Sequence, residues 1–171
     1  METNNNATQT SVKDEVFITH IFNAPRELVF RAWTEPEHLL RWYAPDNCTI
    51  TFKKIDVRPG GVFHSCVYNP QYGDCWISGV YQEVIFPERL VFSMALADEE
   101  GNLVASAVAG KDEDWPEQTI TTVTFTALGD KTRLTLHQTV SEAKAKQTGA
   151  YQSWIEMFNR LNNMVADLPQ N

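Results

Sequence analysis

Apolar positions along this chain fall into strand-like and helix-like patterns, and each predicts its own kind of element. From Glu15 to Phe22 the run EVFITHIF is dense in β-branched and aromatic residues, which predicts a strand. Behind it, Leu28, Val29, Ala32 and Trp33 recur at helical spacing. Asn23-Ala24-Pro25 supplies a start signal with proline in the first turn, so a short helix is expected over about residues 25–33. Thr34-Glu35-Pro36 repeats that signal, and Leu39, Leu40, Trp42 and Tyr43 predict a second short helix before Pro45. From Cys48 the texture becomes alternation broken by turn residues, the mark of an antiparallel sheet, with strands expected at about 48–57, 62–68, 74–85, 89–96, 118–127 and 132–140. Arg58-Pro59-Gly60-Gly61 places Pro and Gly where a type II turn needs them. Finally Tyr151, Trp154, Phe158, Leu161, Val165 and Leu168 fall at steps of three or four, one apolar face of a long helix over about 150–167.

This order predicts an α+β fold. A curved antiparallel sheet of seven strands grips the C-terminal helix, the one element long and apolar enough to cover it, and two short helices follow the first strand. The short helices and the long connection from Ala97 to Glu117 are expected to wall a cavity between sheet and C-terminal helix, a place suited to apolar ligands. One domain over residues 14–168 is expected, behind a polar tail at 1–13 that lacks periodicity.

Composition narrows the function classes. A chain of 171 residues can bury one real core. Its 14 basic and 22 acidic residues give a net charge of −8, with no basic run, which disfavours nucleic acid and anionic membrane as partners. Met1 to Ser11 has neither a basic nor an apolar signal region, and no apolar stretch is long enough to span a bilayer. A cytoplasmic protein is therefore expected. Cys48, Cys66 and Cys75 are an odd number without zinc-like spacing and read as reduced thiols, although the separation of Cys66 and Cys75 leaves a cross-strand redox pair open.

Several short motifs, in order, also carry a resemblance. Phe22-Asn23-Ala24-Pro25 with Val29 and Trp33, then Pro36-Glu37-His38-Leu39 and Arg41-Trp42-Tyr43-Ala44-Pro45, are similar to the opening of the family named for the activator of the heat shock protein 90 ATPase. Arg58 to Gly61, Gly79 to Val84 with Pro87, Arg89-Leu90-Val91, Thr132 to Leu136 and Trp154 continue the likeness, which spans about residues 15–166. That family belongs to the START-like superfamily, also called SRPBCC or Bet v-like, so the resemblance implies a helix-grip fold with a hydrophobic pocket. It also implies a chaperone as a candidate partner, although a single domain leaves no room for the additional amino-terminal domain of the eukaryotic activators. The sequence departs from the family in having Ser153 where many members have Gly before the helix Trp, and in its longer 97–117 connection.

Candidate ligand-binding residues follow from strand parity, helix periodicity and the resemblance together. Phe63, Ser65 and Val67 share one side of their strand, and the resemblance makes that side the inner one. Tyr81 and Glu83 share a parity on the next strand. Trp33 and Trp42 are expected to close one end, Phe92 and Phe125 to contribute from later strands, and Trp154 and Phe158 to face inward from the helix. The helix stripe is read first as plain core and second as ligand box. Glu83 is a general acid or base if burial raises its pKa, and otherwise a structural partner of Arg58, backbone or water.

No catalytic residue, metal or cofactor is assigned. His20, His38, His64 and His137 form no metal motif, and no GxSxG, P-loop or GxGxxG occurs. The acidic run at 112–114 reads as a solvated loop face. The leading expectation is noncatalytic binding of a small apolar molecule. The rivals are a co-chaperone-like interaction module and a cyclase or hydrolase using Glu83 and Tyr81. Exposed sheet edges and the apolar part of the 97–117 connection leave a homodimer open.

Overall fold

A computed structural model describes residues 14–109 and 112–169; the expected tail at 1–13 lies outside them. The strands are β1 (Glu15–Phe22), β2 (Thr49–Ile55), β3 (Val62–Asn69), β4 (Gly73–Ile85), β5 (Arg89–Leu96), β6 (Thr119–Leu128) and β7 (Lys131–Ser141). They form one antiparallel sheet in the order β1-β7-β6-β5-β4-β3-β2, so β1 and β2 are its edges. Helices α1 (Arg26–Thr34) and α2 (Pro36–Trp42) follow β1, and α3 (Glu142–Thr148) and α4 (Ala150–Asp167) end the chain. The expected α+β helix-grip architecture is what the structure has.

Local chemistry sets the boundaries. Pro25 is the N-cap of α1 and Pro36 occupies the first turn of α2, where a missing N–H costs nothing. Glu35 ends one helix and begins the next, so the two short helices meet at a single extended residue. In the Arg58–Gly61 turn, Gly60 takes a φ of +83° and Gly61 N–H donates to Arg58 O at 2.8 Å. The periodicity reading overlooked α3. Its start is signalled by Ser141, whose hydroxyl accepts from Lys144 N–H, and Gly149 at φ +87° separates it from α4.

Two register shifts decide which side chains point inward. In β2 the shift falls between Phe52 and Lys54, and in β4 between Tyr81 and Glu83. Each is a bulge that adds one residue to its strand and reverses the alternation beyond it. Tyr81 therefore stands opposite Phe92, and Val84 opposite Leu90, on the concave face, while Glu83 opposite Val91 turns to the convex face. The common parity of Tyr81 and Glu83 expected from the sequence is lost for this reason. On β3 and β4, Cys66 pairs with Trp76 and Cys75 with Val67, which puts the two thiols on opposite faces, and all three cysteines are free. Burial raises the Cys66 thiol to about 11.

The helices cover the concave face unevenly. Helix α4 packs on β1, α1 on β6 and β7, and α2 on β2, while α4 also packs on α1, α2 and α3. Over β3, β4 and β5 the helix backbones stand farther from the sheet, and the side chains of Trp33 and Leu39 close the space above Phe63, Tyr81, Leu90 and Phe92. The 97–117 connection leaves the pocket side altogether at its start: Asp98 O meets His64 Nε2 at 3.0 Å, and His64 stacks beside Trp76, on the opposite side of β3 from Phe63. Its later part lies against α3, where Lys144 pairs with Asp112 at 3.3 Å and Asp114 at 3.6 Å. The acidic run is thus tied to a lysine rather than simply solvated.

Gly79 stands opposite Phe63 with Ser93 behind it, and a Cβ there would overlap Ser93 O and the Phe63 ring. We expect Gly79→Ala to destabilise the protein by about 1–3 kcal/mol, as overpacking of a tight interior does, measured as a lower urea midpoint with an unchanged slope.

Candidate functional site

The site is built around Trp33, at the last turn of α1. Its indole stacks on Trp154 of α4 with centroids 6.2 Å apart and meets Trp42 of α2 edge-on at 4.8 Å. Phe125 of β6, Phe158 of α4 and Tyr43 complete the surround at 6.3, 6.3 and 6.0 Å. Such edge-to-face pairs contribute about 0.5–1.5 kcal/mol each beyond the area they bury. Trp42 donates from Nε1 to Ala32 O at 2.8 Å, which locks α2 against α1. Trp154 donates from Nε1 to Gln138 Oε1 at 3.2 Å.

Over β3 to β5, the sheet and the two short helices enclose a cavity of about 10 Å³. That is about the space of a single water. Its walls are Phe63, Tyr81, Leu90 and Phe92 from the sheet, Trp33 and Leu39 from the helices, and Tyr43 and Phe52 on the side toward the β2 edge. No wall residue carries a formal charge. Phe52 and Tyr43 are the two that retain appreciable contact with solvent, so the mouth lies between the end of α2 and β2. Burial pushes the Tyr81 hydroxyl well above the ordinary phenol range, and burial together with the neighbouring Tyr81 does the same to Tyr43. Both remain neutral phenols throughout the physiological range.

Of the residues singled out from the sequence, Trp33, Phe63, Tyr81 and Phe92 line this cavity. Ser65 is buried on the same face of β3 but stands further along the strand, opposite Phe52 and Ile77. Val67 packs in a separate small cluster with Ala44, Cys48 and Ile50. Trp42, Phe125, Trp154 and Phe158 are core: they hold Trp33 from behind and line no part of the cavity. The cavity is therefore between the sheet and α1–α2, not between the sheet and the C-terminal helix, because α4 lies over the β1 side. Glu83 faces the other way and pairs with Arg89 at 2.6 Å, both side chains more than two-fifths exposed. Its partner is Arg89 rather than Arg58, which instead pairs with Asp56.

Leu39, Tyr43, Phe52 and Leu90 were not identified from the sequence as wall residues. Phe52 shares the inner face with Ile50 by plain alternation, ahead of the bulge. Arg160 was missed as well. From α4 its guanidinium donates to Ala44 O at 2.5 Å, to Pro45 O and Cys48 O at 3.3 Å, and to Arg41 O at 3.0 Å. It thereby fixes the backbone on both sides of Tyr43, at the mouth. Among the described residues, no group of three or more His, Cys, Asp or Glu could hold a metal ion, and no helix is long and apolar enough to cross a membrane.

Comparison with known proteins agrees with this fold. The family described as Activator of Hsp90 ATPase homolog 1-like protein matches residues 23–166. No curated protein matches the sequence. Among solved structures, a protein from Arthrobacter aurescens is 22% identical, with a TM-score of 0.77 over 94% of this chain and 91% of its own. One from Chromobacterium violaceum is 22% identical, with a TM-score of 0.73 over 90% and 97%. A family protein from Silicibacter pomeroyi is 16% identical, with a TM-score of 0.69 over 89% and 97%. These likenesses establish the shared fold.

Removing the Arg160 clamp should loosen the mouth before it unfolds the core. We expect Arg160→Leu to cost about 1.5–3 kcal/mol, the range for charge-assisted hydrogen bonds. Amide exchange should accelerate first over residues 41–48, whereas uniform acceleration across the sheet would contradict the local role.

Proposed function

For a chain that belongs to the Activator of Hsp90 ATPase homolog 1-like family, we propose noncatalytic binding of a small, mainly apolar molecule in the cavity between β2–β5 and α1–α2. The observation that carries this reading is an uncharged, mostly aromatic wall, built from β2 to β5 together with Trp33, Leu39 and Tyr43, around a small cavity that is nearly filled. Ligand sites commonly combine such a wall with a few polar groups that fix orientation. A ring-sized molecule needs far more space than about 10 Å³. Admission therefore moves Phe52 and Tyr43 outward, the bound form being a more open state that the ligand selects. Glu83 and Tyr81 lie on opposite faces of the sheet, so they supply no common acid–base centre.

The family's description also motivates a co-chaperone reading, for which the feature to consider is the exposed pair Phe17 and Ile21 on edge strand β1, at 52% and 54%. On that reading, replacing both with Ser abolishes any stimulation of a purified Hsp90-type ATPase. If the native chain gives no stimulation, this second reading is wrong.

The decisive experiment for binding is native mass spectrometry of the protein purified from its own host, followed by denaturing extraction. We expect a copurifying apolar molecule that is retained in Glu83→Gln and lost in Leu90→Trp, which fills the cavity. A bare mass, together with a melting temperature unmoved by a broad panel of apolar metabolites, would overturn the reading.

A further inference from the structure

The cavity also indicates what its occupant must carry, an inference that rests on the apolar-ligand reading above. Trp33 is 1% exposed and lines the cavity, and its indole N–H is buried with no protein acceptor. It is the one buried side-chain polar atom so left among the described residues. The contrast with the neighbouring indoles is direct. Trp42 and Trp154 are equally buried but line no cavity, and each has its acceptor, Ala32 O and Gln138 Oε1. Buried N–H groups are almost always paired, so this one, on a residue of the cavity wall, calls for an acceptor group that the protein itself does not supply.

The remaining wall restricts the chemistry of that group. No Asp, Glu, Lys, Arg or His lines the cavity, so a carboxylate, phosphate or ammonium would enter without a counter-charge. The wall's other polar groups are the phenols of Tyr43 and Tyr81, close enough for Tyr81 to bear on the ionisation of Tyr43. Each can donate a hydrogen bond. A carbonyl oxygen suits this set: it is neutral, has two lone pairs for two donors, and brings no donor of its own that needs an acceptor. We infer that the ligand carries a neutral carbonyl group, and that its oxygen accepts the hydrogen of Trp33 Nε1.

A matched pair of probes tests this, acetophenone and α-methylstyrene, in which C=CH₂ replaces C=O on the same frame. Affinities are measured by titration, and the Trp33 indole resonance is followed in ¹⁵N–¹H spectra. The expected result is binding of both, with the ketone about tenfold tighter, the order of discrimination a single buried hydrogen bond gives. The ketone alone moves the Trp33 indole proton downfield, and Trp33→Phe lowers the affinity ratio severalfold. Equal affinities, or an indole resonance indifferent to the ketone, would overturn the inference and leave the apolar cavity standing. Binding of neither probe would overturn the apolar-ligand reading and the inference with it. The resonance is read on the native chain, so the result stands even if Trp33→Phe fails to fold.

Discussion

The packing of Trp33 against Trp42 and Trp154 is the constraint on which the rest of this structure depends. It joins α1, α2 and α4 in one aromatic contact, while Phe125 ties the same ring to the sheet. With three helices held to one indole, α4 is kept on the β1 side, and α2 reaches β2. The concave face over β3 to β5 is then closed by side chains, Trp33 and Leu39 among them, rather than by a helix backbone lying on it. A large aromatic hub fills most of that space, and the remainder is the small cavity whose wall includes the hub itself.

Polar groups placed in this apolar surround have consistent roles. Thr132 Oγ1 donates to Ala24 O at 2.7 Å and fixes the start of the first helix, Gln138 accepts from Trp154, and Arg160 gathers four carbonyls near the end of α2. Each satisfies groups that would otherwise be buried unmade, at a cost of about 1–3 kcal/mol apiece. Against that pattern the unpaired indole N–H of Trp33 stands out among the described residues.

Much of the fold was legible in the sequence because its signals are local. Alternation after Cys48, Pro25 and Pro36 at helix starts, and Gly60 in its turn each act within a few residues. The long apolar face of α4 was equally legible, with Met157 and Met164 joining the expected stripe. What failed depended on distant geometry. Glu83 was assigned to the inner face because alternation was assumed to continue past Gln82, where the bulge reverses it. Trp154 and Phe158 do face inward, but the side on which α4 lies is decided by three-helix packing, and that side is not the cavity. Helix α3 is too short for its periodicity to register, and only Ser141 and Gly149 mark it.

On the proposed function, the ligand enters the concave sheet over β3 to β5 beneath Trp33 and Leu39, not the convex face or the α4 groove. An NMR titration of the labelled native chain with its copurified molecule tests that most directly. The account predicts shifts concentrated at Trp33, Tyr43, Phe52, Phe63 and Tyr81, with Glu83 and Phe17 unmoved. Shifts centred on Phe17 and Ile21, or running along α4 while Tyr81 and Phe63 stay still, would contradict it.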